Sequence, residues 1–389
     1  MTATSKGNKM NSGFKRITKL AIFSLSFLAF AGPFNVANAE KGFLEKGEGY
    51  NPVDPSLVED LLSYLETTTK GNYDQIASWQ GLIDFVSIRL YAGNDVNQVL
   101  EKNKINIEVI PKKCEELAEG TIYFKADLKR DMRWVHLCRP KSPIFKDAET
   151  MKILGSSGFA FDATIIKTPD FITKATPHQF AQDGSIFKRS ATKVGKNSLD
   201  YRRMLGFAKY PTNCFDAIGP TWNWLLSLRM LLFNETTTPK IFKDAVVIEK
   251  RSIGNETEFY IRFGVLDNTN NYIESFYEMV LPSNVGYNPN VIRILETPDN
   301  KLNREFNISY LDLNDVFLPL NYHEIHYNAD GMVTVHKQYT LKEQKINKTI
   351  EEEVFGIASL GLKDSDKFED KILGKEYTYQ EGKLIEVEK

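Results

Sequence analysis

The chain has 389 residues, with 49 basic and 51 acidic side chains for a formal net charge of -2, and 42% hydrophobic and 12% aromatic residues. This balance excludes a disordered chain, a collagen-like repeat and a multi-span membrane protein, and it leaves a nucleic-acid role without a basic surface to rest on. The length allows two average domains or one large β unit.

Residues 1–39 hold Lys6, Lys9, Lys15, Arg16 and Lys19 without an Asp or Glu, then an apolar run over 20–31 and the small-residue pattern Ala37-Asn38-Ala39. A basic start, a short apolar core and small residues at the exit form the pattern of a cleavable export signal. The run is short for a bilayer span. Cleavage is expected after Ala39, with Met10 as an alternative start, leaving a soluble periplasmic or secreted protein. Loss of those five basic groups leaves 44 against 51 acidic ones, a mildly acidic product of charge -7. No Cys begins the mature chain, so a lipoprotein anchor has no support. In an oxidising compartment Cys114, Cys138 and Cys214 either supply one disulfide, with Cys114 and Cys138 closing the shorter loop, or remain three buried thiols.

Residues 40–53 contain Gly and Pro and read as loose. Asp54 then suits a helix N-cap and Pro55 the first helical position, with Leu57, Val58, Leu61, Leu62 and Leu65 at helical spacing up to Lys70-Gly71. The stretch 76–91, IASWQGLIDFVSIRLY, reads as a long strand with a bulge at Gly81. Residues 94–120 read as helix and irregular structure, and TIYFKADLKRDMRWVHL as a hairpin broken around Lys129 to Asp131. Residues 139–216 are read as inserted loops or lids. Pro220 opens an apolar helix, TWNWLLSLRMLLF, that must be buried. From Ala245 onward, strands and turn signals alternate: DAVVIEKR, EFYIRFGVL, YIESFYEMVL, VIRILE, EFNISYLDL, LNYHEIHY and MVTVHKQYTL predict an antiparallel meander of five or six consecutive strands, with Asn328-Ala329-Asp330-Gly331 as one hairpin turn. The tail from Lys345 is charged, with a last strand predicted at YTYQEGKLIEV.

No catalytic pattern emerges, and no enzyme activity or cofactor is expected. His323 and His326 stand three apart on a predicted strand, where odd spacing sends them to opposite faces, so no zinc site is expected; His336 on the next strand is the one residue able to approach either. Gly155-Ser156-Ser157-Gly158 reads as a loop, Asp267 to Asn271 as a turn, and Asp364, Asp366 and Asp370 as solvated charge rather than a calcium loop. What remains is a surplus of large apolar side chains. Trp79, Phe85, Trp222, Trp224, Leu228, Phe259, Ile261, Phe263 and Phe276 are the candidates to line an apolar hollow, the alternative being a plain core.

Two segments, LVEDLLSYLETTTKG leading into YDQIASWQGLIDF and the late VFLPLNYHEIHYNADGMVTVHKQYTLKEQKIN, give the chain an order of elements that resembles the LolA/LolB-like lipoprotein-carrier superfamily of the bacterial periplasm, in the form taken by its secreted planctomycete-type members. The resemblance implies an α+β fold, a curved antiparallel sheet or incomplete barrel covered on its concave face by helices, over residues 40–350. Residues 139–216 would be insertions and 351–389 an acidic extension. It further implies binding of a lipid or lipoprotein acyl chain between sheet and helices, with an envelope protein partner and peripheral membrane contact. The competing expectations are a periplasmic sensor or protein-interaction module whose core is filled and, ranked last, a hydrolase whose site is assembled from residues distant in the sequence.

Overall fold

In a computed structural model of the chain, the described residues are 43–44, 48–139, 141–156, 161–180, 186–201, 241–266 and 272–388, with Met204, Leu225 and Arg229. The expected export signal, Trp222, Trp224, Leu228, Cys214 and the turn at 267–271 lie outside them.

The carboxylate of Asp54 accepts the backbone N–H of Ser56 and caps a single 3-10 turn, Pro55–Leu57, that leads into helix α1 (Val58–Asp74). The helix runs past Gly71 because Asn72 is held at its end. Its amide donates to the Phe317 carbonyl at 2.9 Å and accepts from the Phe317 N–H at 2.7 Å. The described residues of the segment expected to be loose are tied down: β1 (Asn51–Pro52) pairs with the strand at 241–253, and Tyr50 and Phe43 pack on aromatic rings of the sheet.

After α1 come β2 (Ser78–Ala92), α2 (Asn94–Lys102), β3 (Lys113–Asp127) and β4 (Met132–Arg139). The region expected to hold inserted loops instead supplies β5 (Ile144–Asp147), β6 (Ile153–Ser156), β7 (Phe161–Lys167), β8 (Phe171–Phe180) and β9 (Ile186–Gly195). The meander follows as β10 (Ile241–Ile253), β11 (Glu256–Leu266), β12 (Ile273–Pro282), β13 (Val291–Glu296), β14 (Lys301–Asp312), β15 (Phe317–Tyr327) and β16 (Val333–Ile346). Short 3-10 turns lead to β17 (Lys367–Asp370), β18 (Lys375–Gln380) and β19 (Lys383–Glu386), so the C-terminal extension is itself part of the sheet.

Hydrogen bonding runs β1, β10 through β16 in sequence order, then β2, β3, β4, β7, β8, β9, β17, β18 and β19. Among the described strands only β9 with β17 is parallel. The long β3 serves two neighbours: Thr121–Asp127 pairs with β4, and Cys114–Leu117 with β5, which carries β6. The sheet is therefore large, almost wholly antiparallel and unclosed, with few helices.

β16 carries one extra residue where Leu341 and Glu343 oppose Ile83 and Leu82. The expected bulge thus lies on the partner strand, and Gly81 is its counterpart. A Cβ at Gly81 would stand 2.0 Å from the Glu343 carbonyl oxygen, so the close approach of the two strands requires glycine. Cys138 lies opposite Thr121, seven residues along β3 from Cys114, or about 23 Å at strand spacing, so these two thiols are free and do not pair. Asp366 and Asp370 are buried rather than solvated: Asp366 accepts the N–H groups of Arg189 and Lys363, and Asp370 meets Lys193 and the N–H groups of Ile372 and Leu373. Each carboxylate caps a turn of its own chain, which is why neither is free for calcium.

Candidate functional site

Strand alternation together with register assigns each side chain to a face. Phe259, Ile261 and Phe263 on β11 stand opposite Leu281, Met279 and Tyr277 on β12, and the row continues through Ile292, Phe306, Ile308, Tyr322, Tyr339 and Leu341 to Trp79, Ile83, Ile122, Phe124 and Val135. One apolar face thus extends from β10 to β4. At about 4.8 Å per strand it is about 40 Å wide.

The residues of this face are buried. The buried Leu62 and Leu65 of α1 join this cluster, and so does Leu225. A helix of 17 residues is about 25 Å long and 10 Å across, so α1 can cover only part of the face. Arg229 is tied to α1: one guanidinium nitrogen lies 2.9 Å from a Glu66 carboxylate oxygen, and another donates to the Ser63 hydroxyl at 3.4 Å.

Toward one end the face turns polar. Glu324, His326 and Lys337 follow Tyr322 and Tyr339 on the same side, with His326 Nε2 at 2.5 Å and Lys337 Nζ at 3.1 Å from the two Glu324 carboxylate oxygens. Burial alone would raise the Glu324 carboxyl, but the His326 contact and the Lys337 charge outweigh it and hold the group below the usual range. Phe85 marks the boundary, half-buried, 6.2 Å from the Tyr339 ring. Its ring occupies the space that a Cβ at Gly120 would need.

Of the candidate lining, Trp79, Phe259, Ile261 and Phe263 are together in this cluster and Phe85 at its margin. Phe276 is not: it pairs with Gly264 and so points to the other face, edge-on to Phe43 at 5.3 Å. A one-residue step along a strand reverses the side, and YIESFYEMV carries large apolar groups on both. Strand alternation missed the polar end, although the HEIH pattern marked it: His326 belongs to it, whereas His323 lies on the opposite face with His336, Nδ1 to Nε2 3.2 Å apart.

That opposite face carries a polar ladder under the N-terminal segment. Glu278, almost fully buried, accepts the Leu44 N–H at 3.0 Å and the Tyr260 hydroxyl and lies 3.4 Å from Arg293, which is in turn 3.4 Å from Glu305. Burial, with the nearby Glu278 charge, pushes the Tyr260 phenol far above its ordinary range. The Arg262 guanidinium sits 4.0 Å from the Phe43 ring centroid.

Among the described residues no helix is long and apolar enough to cross a membrane, and no cluster of three or more His, Cys, Asp or Glu residues has the arrangement of a metal site.

No family model matches the chain, and no curated protein matches it. Among solved structures it is similar to an outer membrane lipoprotein-sorting protein domain from Vibrio parahaemolyticus, with a TM-score of 0.31 and 7% identity over 77% of this chain and 99% of that one. It is also similar to a DUF1329 family protein from Desulfovibrio piger ATCC 29098, with a TM-score of 0.32 and 5% identity over 79% of this chain and 100% of that one. The first is of the carrier type that the two sequence segments resemble. At these scores the likeness carries no argument about ligand or partner.

Proposed function

We propose that the exported chain is a periplasmic or secreted binding protein, not an enzyme, that takes an acyl chain of a lipid or lipoprotein between the apolar face and its cover. The observation that supports this is an apolar face about 40 Å wide that passes at one end into the polar group Glu324, His326 and Lys337, an arrangement suited to a ligand with an apolar chain and a polar head. The ligand's polar head would lie toward Glu324, His326 and Lys337.

Loading from a bilayer needs a contact surface. Val109, 81% exposed, and Ile110 project from the connection between α2 and β3, and Met151 and Ile153 from the hairpin of β5 and β6. The two loops are joined by the Ala148 N–H to Lys113 carbonyl bond, and Lys104, Lys112, Lys113 and Lys152 flank them. Apolar tips among lysines suit a membrane interface.

The test is mass spectrometry of organic extracts of the purified exported protein, followed by uptake of a fluorescent fatty acid by the delipidated sample. A stoichiometric lipid and saturable uptake are expected, with Phe85→Asp reducing uptake while melting stays cooperative. Val109→Asp with Ile110→Asp should abolish flotation with anionic vesicles and spare uptake in solution. Neither a bound lipid nor uptake would leave the other reading, an interaction module with a filled core, for which the near-complete burial of Trp79, Ile261 and Phe263 speaks.

A further inference from the structure

Where β16, β2, β3 and β4 lie side by side, the face away from the apolar cluster presents two cross-strand rows. One reads Glu343, Leu82, Tyr123, His136, and the next Lys345, Gln80, Lys125, Trp134. Between them is an open depression of about 240 Å³ whose lining includes Tyr123, Trp134, Lys125, Lys345, Gln80 and Glu343. It lies beside the extra residue in β16 and the close approach at Gly81, so local sheet distortion shapes it.

Its aromatic floor is fixed from behind. Tyr123 stacks on His136 at 6.0 Å and 25°, and Trp134 leans on the same imidazole at 6.1 Å. The indole N–H of Trp134 donates to the Ser359 carbonyl at 3.0 Å, and His136 is held by Asp162, whose oxygen Arg189 also engages at 2.6 Å. Tyr123 nevertheless remains 44% exposed, an aromatic side chain held in place but not covered. The Lys125 ammonium is 6.0 Å from the Trp134 ring, and among the described residues no carboxylate pairs with Lys125 or Lys345. Rigid rings beside amide, carboxylate and ammonium groups are complementary to a ligand with a C–H face, hydroxyl edges and a negative substituent.

We propose that this depression is a binding site for a pyranose carrying a phosphate or carboxylate. The sugar's C–H face rests on Tyr123 and Trp134, its hydroxyls meet Gln80 and Glu343, and Lys125 and Lys345 take the anion. The site is on the opposite side of the sheet from the acyl-chain site and stands or falls independently of it. Glucose 1-phosphate, galacturonic acid, glucose and inorganic phosphate, titrated calorimetrically against the exported protein, provide the test. Saturable binding of one or both charged sugars is expected, at least about tenfold tighter than glucose or phosphate alone. Tyr123→Ala and Lys345→Gln, at exposed positions, should each weaken it by about tenfold with the melting temperature unchanged. No saturable binding of either charged sugar at millimolar concentration, phosphate binding as well as glucose 1-phosphate, or full affinity in both variants would overturn the assignment. Vesicles bearing a glycolipid with a phosphorylated sugar distinguish the sources. Recruitment lost in Tyr123→Ala assigns a lipid headgroup, and binding of the free sugars alone assigns a soluble ligand.

Discussion

His323 and His336 show how a single contact sets a pH dependence. Their ring centroids are 5.5 Å apart and their facing nitrogens 3.2 Å, so the rings meet edge to edge along one N–H to N bond. Burial lowers both imidazoles, and the neighbouring His323 lowers His336 further. The unfolded chain therefore takes up protons first as pH falls through the ordinary value of 6.5. Stability from this pair is complete above that pH and lost below it. The expected outcome is a melting temperature that is level near neutrality and declines as pH falls from about 6.5 to 5, with a shallower decline in His323→Gln with His336→Gln. Identical profiles by differential scanning calorimetry would remove the pair from the account. Glu278 illustrates the other side of burial: its charge is tolerated because a backbone N–H, a phenol and a guanidinium all meet it.

At the scale of elements, α1 was legible because its cap, first-turn proline and leucine spacing agree, and β10 to β16 because one of their faces is apolar and turn residues separate them. β7 to β9 were not. Ile165, Ile172 and Val194 pack on one side of these strands while Ile166, Ala175 and Ala191 pack on the other, and two buried faces erase the alternation that identifies a strand. The two ways α1 is held differ in strength. Leu65→Ala should cost about 2–5 kcal/mol by urea denaturation, because a fully buried side chain leaves a cavity. Arg229→Ala should cost less, about 1–3 kcal/mol, since it leaves the largely buried Glu66 carboxylate without its guanidinium, and it should speed exchange of bound fatty acid. An Arg229 variant as unstable as Leu65→Ala would mean that the tie, not the apolar packing, holds the cover.

For the whole molecule, the C-terminal residues matter more than their charge suggests. Phe355, Leu360, Leu362 and Phe368 pack on Ile166, Ala175 and Ala191, and β17 extends the sheet from β9. Removing residues 351–389 should therefore expose a buried cluster and a strand edge together, giving an insoluble or dye-binding product. A soluble truncated protein with an unchanged urea midpoint would show the segment to be an appendage after all.

The sequence alone determined what depends on neighbours along the chain: the α1 start, the meander, the hairpin at Asn328 to Gly331, and the separation of His323 from His326 by strand alternation. Only the tertiary structure decided what depends on register between distant segments. It placed Phe276 away from Phe263, joined β16 to β2, kept Cys114 from Cys138, built five strands between residues 144 and 195, and brought Glu324, His326 and Lys337 to the end of the apolar face. The physical reason is that a side chain's partners across a sheet are set by which strands pair and in what register, and a one-residue step changes them all.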